Sequence, residues 1–171
     1  MKDNAKLIPL EAVPADMFEE VLDRAFGADR HGRTAYKVRA GVEWLPALSF
    51  AALDDEDMLV GTIQVWPVAL SDPQDRRHPM LMVGPVAVVP DRQGEGFGLA
   101  LMAAMTQAMD SEANLPQVMI GDPEYYGRFG FSAAPTKDWS VPGPYEPHRL
   151  LVRTAYPSIL PGTGTLGPWI G

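Results

Sequence analysis

The sequence predicts an α/β protein, and two observations carry this prediction. The apolar run Met80 to Val89 is typical of a buried strand, and a turn with three glycines separates it from the helical run Leu99 to Met109. Ala15 to Phe26 has apolar residues spaced three and four apart, the pattern of a helix with one apolar face. The 171 residues suffice for one core, because domains of about 150 residues bury roughly 68–70% of their unfolded-chain surface. We therefore expect a single domain over residues 1–171.

Composition excludes several classes of protein. The formal net charge of −8 is spread along the chain without a basic stripe, so we expect no nucleic-acid partner. The chain has no cysteine, which excludes disulfides, a cysteine nucleophile and cysteine-based zinc sites. Met1 to Asn4 lacks the apolar core of a signal peptide, and the longest apolar run is too short to span a bilayer. We expect a cytoplasmic protein with no membrane partner.

The sequence of the N-terminal part predicts one strand followed by two helices. Lys6 to Leu10 is a short apolar stretch that predicts the first strand. The helix over Ala15 to Phe26 follows Pro14 and precedes Gly27, residues that favour the start and the end of a helix respectively. A second helix is predicted near Thr34 to Gly41.

A β-hairpin is predicted next. Leu48 to Leu53 and Met58 to Val68 are apolar and partly β-branched, and the acidic residues Asp54 to Asp57 separate them. The acidic spacing does not match an EF-hand loop, so we interpret this run as a solvated turn and expect no metal. Ser71 to Pro79 is interpreted as a polar loop.

The core strand carries Gly84-Pro85 in its middle. Because proline cannot donate to the hydrogen-bond ladder of a central strand, we expect a bulge at this point of Met80 to Val89. The next strand is predicted over Gln117 to Gly121.

A short helix is predicted after that strand. Asp122 suits the N-cap, Pro123 the first helical position and Glu124 the first turn, and the helix closes at Gly130. The last two strands and the proline-rich connection between them are predicted at Phe131 to Ala134, Leu150 to Ala155 and Pro135 to Pro147. Residues 156–171 predict an irregular C-terminal tail, either an irregular strand or an extended arm.

The turn Gln93 to Gly98 has the layout of an anion site. The first N–H groups of a helix have no partner inside the helix and carry the positive end of its dipole. Glycines let the chain turn tightly and let a phosphate approach the backbone without meeting a Cβ. The sequence therefore predicts a site for a phosphate or a pyrophosphate between the core strand and the following helix.

Three phosphate-binding patterns compete at this turn. A P-loop requires a lysine after the glycines, and none follows Gly96 or Gly98. A dinucleotide-binding turn requires GxGxxG, and here the third glycine comes one residue early. The third pattern, [Gln/Arg]-x-x-Gly-x-[Gly/Ala], is matched in full by Gln93, Gly96 and Gly98.

A second block, Gly121 to Phe131, contains Tyr-x-x-x-Gly-Phe at Tyr126 to Phe131. With both blocks in this order, the chain resembles the GCN5-related N-acetyltransferases (GNAT). The amino-acid sequence of these segments is similar to that of a bacterial subgroup of predicted N-acetyltransferases. The resemblance implies a mixed central sheet of about six to seven strands, with a splay between strands 4 and 5 and about four flanking helices. It also implies transfer of an acetyl group from acetyl-CoA to a primary amine of a small molecule or peptide, by direct attack on the thioester.

The resemblance also implies the cofactor contacts. The turn would hold the pyrophosphate, and the main chain of the splayed strand would pair with the pantetheine arm and supply an N–H for the oxyanion. The predicted cofactor-binding residues are Val86, Ala87, Val88, Gln93, Gly94, Glu95, Gly96, Phe97, Gly98 and Leu99. A catalytically inactive CoA-binding sensor or interaction module is the alternative, since the core strand has no carboxylate, and homodimers are common in the family.

Tyr126 is the predicted general acid, because a phenol with a pKa of about 10 stays protonated at neutral pH and can return a proton to a thiolate. The alternative is an aromatic core residue whose hydroxyl only positions the sulfur. Tyr125 and Phe129 are predicted to pack. The base stays open among three carboxylates or a water chain, the carboxylates being Glu43, Asp122 and Glu124.

Five further residues have two interpretations each. Tyr36, Glu43 and Trp44 lie where the family builds the acceptor side, but packing or surface exposure is the favoured interpretation. Arg92 and Arg128 would either meet the phosphates or be solvated surface residues.

Overall fold

The computed structural model describes residues 5–112 and 115–169. Within them lie eight strands and four α-helices joined by short 3-10 turns. In chain order these are β1 (Lys6–Pro9), α1 (Ala15–Phe26), α2 (Thr34–Val38), β2 (Phe50–Leu53), β3 (Leu59–Ser71), β4 (Arg77–Val88), α3 (Phe97–Glu112), β5 (Gln117–Ile120), α4 (Pro123–Tyr126), β6 (Trp139–Ser140), β7 (Leu150–Arg153) and β8 (Gly164–Pro168).

The strands form a mixed sheet with the order β1-β2-β3-β4-β5-β7, to which β8 is added beside β3 and β6 beside β8. β4 and β5 are parallel, and their pairs are Leu81–Gln117 and Met82–Val118. Both pairs precede Gly84-Pro85, and the parallel pairing therefore ends early along β4, as expected for two strands that separate. The mixed sheet and its four helices confirm the predicted fold class.

The described chain forms two compact units. The first comprises residues 5–31, 44–65 and 84–112, and the second comprises residues 32–43, 66–83 and 115–169. β3 and β4 each contribute residues to both units. The single domain predicted for residues 1–171 stays a prediction.

The first unit contains α1, β1, β2 and α3, and α3 packs against β1 and β2. Its core consists of apolar side chains that are at most 6% exposed, among them Leu10, Phe18, Leu22, Ile63, Leu101 and Met105. α1 has the predicted bounds, and Gly27 ends it with a φ of 95°. Only glycine adopts this backbone region without a steric cost, which explains the sharp end of the helix.

The second unit has a core of its own, built on β7, β8 and the buried Trp139. The indole Nε1–H of Trp139 donates to the carbonyl of Pro161 at 2.8 Å, and the Tyr145 hydroxyl donates to the carbonyl of Trp139 at 2.8 Å. The proline-rich connection and the tail therefore hold each other through Trp139. Within the tail predicted as irregular, β8 is a regular strand paired with β3 from Val68–Pro168 to Ser71–Thr165.

Two predicted elements are shorter in the structure. The strand predicted over Phe131 to Ala134 is reduced to an isolated bridge between Ser132 and Val152. Gly130, in the left-handed region with a φ of 95°, and the 3-10 turn Ala134–Thr136 confine the extended backbone between them. The second helix ends at Val38 instead of near Gly41.

Candidate functional site

The turn between β4 and α3 is built from backbone that glycine permits. Gly94 has a φ of 84° and Gly96 a φ of 93°. α3 begins at Phe97, and the Ala100 N–H donates to the Gly96 carbonyl at 3.0 Å, which starts the helical hydrogen bonds. The amides of residues 97–99 precede that bond and have no acceptor within the helix. These main-chain N–H groups lie at the positive end of a 16-residue helix, an arrangement that favours an anion.

The side chains of Gln93 and Phe97 make contacts within the protein, which leaves the main chain of this turn as the part open to a ligand. The Phe97 ring is 1% exposed, so only the main chain of Phe97 is available to a ligand. The Gln93 side-chain amide donates to the Val88 carbonyl at 3.2 Å and ties the turn to the end of β4. Gly94 is exposed, and a Cβ placed there would have no neighbour within 4 Å.

The end of β4 is held closely by the neighbouring elements of the first unit. The Val89 N–H donates to the Val60 carbonyl at 2.9 Å. A Cβ on Gly61 would lie 2.8 Å from the carbonyl oxygen of Ala87 and 3.1 Å from a methyl of Leu101. A glycine at this position of β3 therefore lets the backbone of β4 approach closely. Of the three β4 residues predicted to contact a cofactor, Ala87 is buried, and Val86 and Val88 are half-buried.

Arg92 forms the charged part of the turn. Its Nε and Nη2 donate to the two carboxylate oxygens of Glu95 at 2.9 and 3.2 Å, and its Nη1 donates to Asp54 at 2.7 Å. The guanidinium also lies 5.3 Å from the ring centroid of Phe97. Arg92 is thus held by two carboxylates and is not a solvated residue, with three of its five N–H groups donating to Glu95 and Asp54.

Asp54 differs from the solvated turn that the acidic run predicted. It is 6% exposed, and its Oδ1 accepts the N–H groups of Glu56 and Met58 at 2.9 and 3.0 Å. The hydrogen bond from Met58 and the one from Arg92 hold the pKa of Asp54 below its usual value. Asp54 and Arg92 are 38 residues apart, and no local sequence pattern announces a contact of this kind.

Tyr126 lies in the second unit, at the end of the four-residue helix α4. The predicted cap is present, since the Asp122 carboxylate accepts the Glu124 N–H at 3.0 Å. The Tyr126 ring packs edge-on against Tyr125, with ring centroids 4.8 Å apart, and lies directly against the backbone of Gly121. A Cβ on Gly121 would be 2.6 Å from Cε2 of Tyr126, so a glycine is required there for the ring to take this position.

The hydroxyl of Tyr126 has a raised pKa. The ring is half-buried, and the hydroxyl has no hydrogen-bond partner among residues 5–112 and 115–169. Burial raises the pKa of Tyr126 to about 12, with Tyr125 adding to the rise and Arg149 opposing it. The phenol is therefore protonated at neutral pH, and its O–H is available to an acceptor outside the described chain.

The remaining candidates pack against neighbours. Tyr125 contacts Phe129, as predicted, at a centroid distance of 6.1 Å, and the guanidinium of Arg128 lies 4.7 Å from the centre of the Tyr125 ring. Trp44 packs edge-on against Phe18 at 6.0 Å.

Tyr36 is one side of an aromatic stack. The guanidinium of the buried Arg39 lies 4.1 Å from the centre of the Tyr36 ring and 4.4 Å from that of Trp66. Glu43 and Glu124 are exposed, and Asp122 is used as a cap. The structure thus assigns packing to Tyr36 and Trp44 and leaves the base open.

Residues 5–112 and 115–169 contain neither a candidate metal site nor a membrane-spanning helix. No group of three or more histidine, aspartate or glutamate side chains there is arranged to hold a metal ion. None of the helices in residues 5–112 and 115–169 combines the length and apolar character needed to cross a membrane.

The sequence matches the model of a protein family described as an acetyltransferase (GNAT) domain, over residues 9–134. It is 27% identical over 148 residues to an uncharacterised N-acetyltransferase, YhbS, of Escherichia coli strain K12, and the match covers 84% of each chain.

The solved structures that are similar to this one include two with a bound coenzyme. The structure of YhbS from Escherichia coli in complex with CoA has a TM-score of 0.71 at 23% sequence identity, covering 95% of this chain and 89% of that chain. A GNAT family acetyltransferase from Brucella melitensis in complex with acetyl-CoA has a TM-score of 0.55 at 27% identity, covering 90% of this chain and 98% of the other.

Proposed function

Because the chain belongs to the acetyltransferase (GNAT) family, we propose that it transfers an acetyl group from acetyl-CoA to a primary amine of a small molecule or peptide. The observation that carries this proposal is the turn at Gly94 to Leu99, where left-handed glycines lead into the N-terminus of α3. The similar structures from Escherichia coli and Brucella melitensis contain CoA and acetyl-CoA respectively, and we extend that ligand to this chain.

The pyrophosphate of acetyl-CoA is held by main-chain amides of the turn and of the first helical residues. Gln93 fixes the turn to β4 through the Val88 carbonyl, which keeps those amides in place. Phe97 supplies its N–H while its buried ring anchors the helix start. An anion held in this way gains from several aligned N–H dipoles and needs no basic side chain.

The pantetheine arm and the thioester lie along the main chain of Val86, Ala87 and Val88. The close contact between Gly61 and Ala87 holds this backbone still, and a fixed N–H donor stabilises the oxyanion that forms when the amine attacks the carbonyl carbon. Removal of one such donor costs enzymes about 10²–10³ in kcat, so this backbone would carry a substantial part of the rate enhancement.

Tyr126 donates to the leaving sulfur. The amine nitrogen bonds to the carbonyl carbon, the C–S bond breaks, and the nitrogen loses the one proton that the sulfur gains. Full transfer from a phenol of pKa about 12 to a thiolate is uphill, because the acid of a thiolate has a lower pKa than this phenol. Tyr126 therefore stabilises the developing thiolate through a short hydrogen bond. The phenol proton passes to the sulfur as the proton released by the amine is taken up by the phenol oxygen.

Gly121 offers a test of the position of Tyr126. Gly121→Ala should force the Tyr126 ring away, because the new Cβ would meet Cε2 at 2.6 Å. We expect turnover to fall by roughly tenfold or more, since misplacement by about 1 Å costs on the order of 10²-fold, while the Kd for acetyl-CoA stays unchanged.

Gly127→Ala is the matched control for this variant. Gly127 lies in the same segment with a helical φ of −56°, and a Cβ there meets nothing within 4 Å. Equal turnover of the two variants, measured by CoA release, would show that the ring position does not matter.

The overall function is tested by ligand binding and by thiol release. Thermal unfolding is measured with acetyl-CoA, ATP and NADH, and acetyl-CoA alone should raise the midpoint, by linkage to the folded state. CoA release is then followed with a thiol reagent and a panel of primary amines. Because the chain contains no cysteine, every thiol detected arises from CoA.

Each outcome of these two measurements has one meaning. Stabilisation by acetyl-CoA together with amine-dependent thiol release supports the transferase. Stabilisation without release with any amine supports the non-catalytic CoA-binding module. Stabilisation by ATP or NADH instead of acetyl-CoA contradicts both.

A further inference from the structure

The anion-binding turn contains an acidic residue, Glu95, directly before Gly96 and the start of α3. A carboxylate is drawn to the positive end of a helix dipole by the same force that draws a phosphate. A free Glu95 side chain would therefore compete with the pyrophosphate for the N–H groups at the start of α3. An acidic residue at this point therefore requires an interaction that keeps its carboxylate away from the N–H groups at the start of α3.

We propose that Arg92 is a positioning residue which holds the carboxylate of Glu95 away from the phosphate-binding amides, an inference that rests on the proposed binding of acetyl-CoA. Nε and Nη2 of Arg92 form two parallel hydrogen bonds to Glu95, at 2.9 and 3.2 Å. This bidentate geometry fixes direction as well as distance, because guanidinium and carboxylate are both planar.

Arg92 is itself anchored on the tip of the β2–β3 hairpin. Its Nη1 donates at 2.7 Å to Asp54, whose side chain is only 7% exposed and is fixed by two backbone N–H groups of the tip. The underside of the guanidinium faces the buried Phe97 ring at 5.3 Å. The guanidinium is therefore held from two further directions, and Glu95 must take the orientation that Arg92 imposes.

This arrangement separates two roles that an arginine beside a phosphate site can have. A direct phosphate ligand presents its N–H groups to the ligand, whereas three of the five N–H groups of Arg92, one on each guanidinium nitrogen, already donate to carboxylates. Arg92 thus acts on the pyrophosphate through Glu95.

The test is a double-mutant cycle, with binding of CoA measured by titration calorimetry. Arg92→Met keeps the apolar stem over Phe97 and removes the charge, and we expect the Kd for CoA to rise by about tenfold through repulsion from the released Glu95. Glu95→Gln keeps the main-chain N–H of residue 95 and removes only the carboxylate, so its Kd for CoA should be clearly lower than that of Arg92→Met. The double variant should bind within about threefold of Glu95→Gln, because the competing group is gone.

The control is Arg24→Met. Arg24 pairs with Asp91 at 3.2 Å, with both side chains largely exposed, and lies in the same unit. Loss of one positive charge is common to both arginine variants, so an equal effect of Arg24→Met and Arg92→Met would overturn the proposal. Acetyl-CoA kinetics provide a second readout, in which Arg92→Met raises KM and leaves kcat unchanged.

Three further results would overturn the positioning role. The first is unchanged CoA binding in Arg92→Met, and the second is a double variant that binds as weakly as Arg92→Met, which a direct phosphate contact would give. If Arg92→Met does not fold, Arg92→Lys is used instead, since it keeps a charge without the two parallel hydrogen bonds. Arg92→Lys should show a smaller loss of affinity for CoA, and adding Glu95→Gln should restore that affinity. Failure of Glu95→Gln to restore the affinity is the third result. A wild-type protein that does not bind CoA contradicts the proposed function instead, so the two failures are distinguishable.

Discussion

Gly96→Val is expected to abolish measurable binding of acetyl-CoA, with a rise in Kd of roughly 100-fold or more. Gly96 has a φ of 93°, which a β-branched residue does not adopt without severe strain. The valine therefore forces the turn into another conformation, and the amides at the start of α3 no longer converge on one anion. Its side chain also occupies space that a phosphate needs next to the backbone.

Calorimetric titration with acetyl-CoA measures this loss, and the unfolding midpoint without ligand shows whether the variant is folded. Gly162→Val is the matched control, because Gly162 is exposed, lies outside the left-handed region and has no atom within 4 Å of a new Cβ. Tight binding by folded Gly96→Val would remove the turn from the site.

Tyr126→Phe is expected to keep the affinity for acetyl-CoA and to lower turnover by about 10²–10³-fold, which is the contribution of a well-placed proton donor. The ring contacts with Gly121 and Tyr125 are kept, so the loss reports the hydroxyl alone. Tyr125→Phe is the control on the same helix, and its turnover should stay within a few-fold of the wild type. Unchanged turnover in Tyr126→Phe would remove its donor role.

The pH dependence of the wild type provides an independent check of the same role. The donor must be protonated, and burial raises the pKa of Tyr126 to about 12, so activity carried by this group is lost only as pH rises through that value. An unburied phenol would be half ionised at about pH 10. We expect no Tyr126-dependent fall in kcat up to about pH 10, and a falling limb below that value, absent in Tyr126→Phe, would contradict the burial of the phenol.

Local signals in the sequence predicted the elements that depend on local interactions. The bounds of α1 follow from its apolar spacing and from Pro14 and Gly27, which act on the adjacent turn of helix. Asp122 and Pro123 predicted the start of α4 for the same reason, and the observed cap is the one expected. The glycine turn was equally predictable from the sequence, because a left-handed conformation at Gly94 and Gly96 restricts the residue type directly.

Elements that depend on distant partners were not predictable in this way. β6 has two residues, and β8 contains two glycines and a proline, a composition that disfavours strands. Both form because they pair with each other and β8 pairs with β3, around a buried Trp139. The ion pair of Asp54 with Arg92 is likewise set by the packing of the hairpin tip against the turn.

The candidate site shows the same division. The left-handed glycines of the turn and the short helix that carries Tyr126 were predictable from local spacing, whereas the side-chain environment was not. The burial of the Phe97 ring, the Arg92–Glu95 fork and the contact of Tyr126 with Gly121 all arise from tertiary packing. Neither the sequence nor the structure identifies the general base, because the carboxylates considered for it are exposed or used as a cap.

The central claim, that main-chain amides at the start of α3 hold the diphosphate of acetyl-CoA, is tested most directly by a crystal structure of the protein grown with acetyl-CoA. We expect phosphate oxygens within hydrogen-bond distance of the backbone nitrogens of residues 96–99, with Glu95 still bound to Arg92. A diphosphate bound elsewhere on the protein, with those nitrogens facing solvent or a protein group, would contradict the claim.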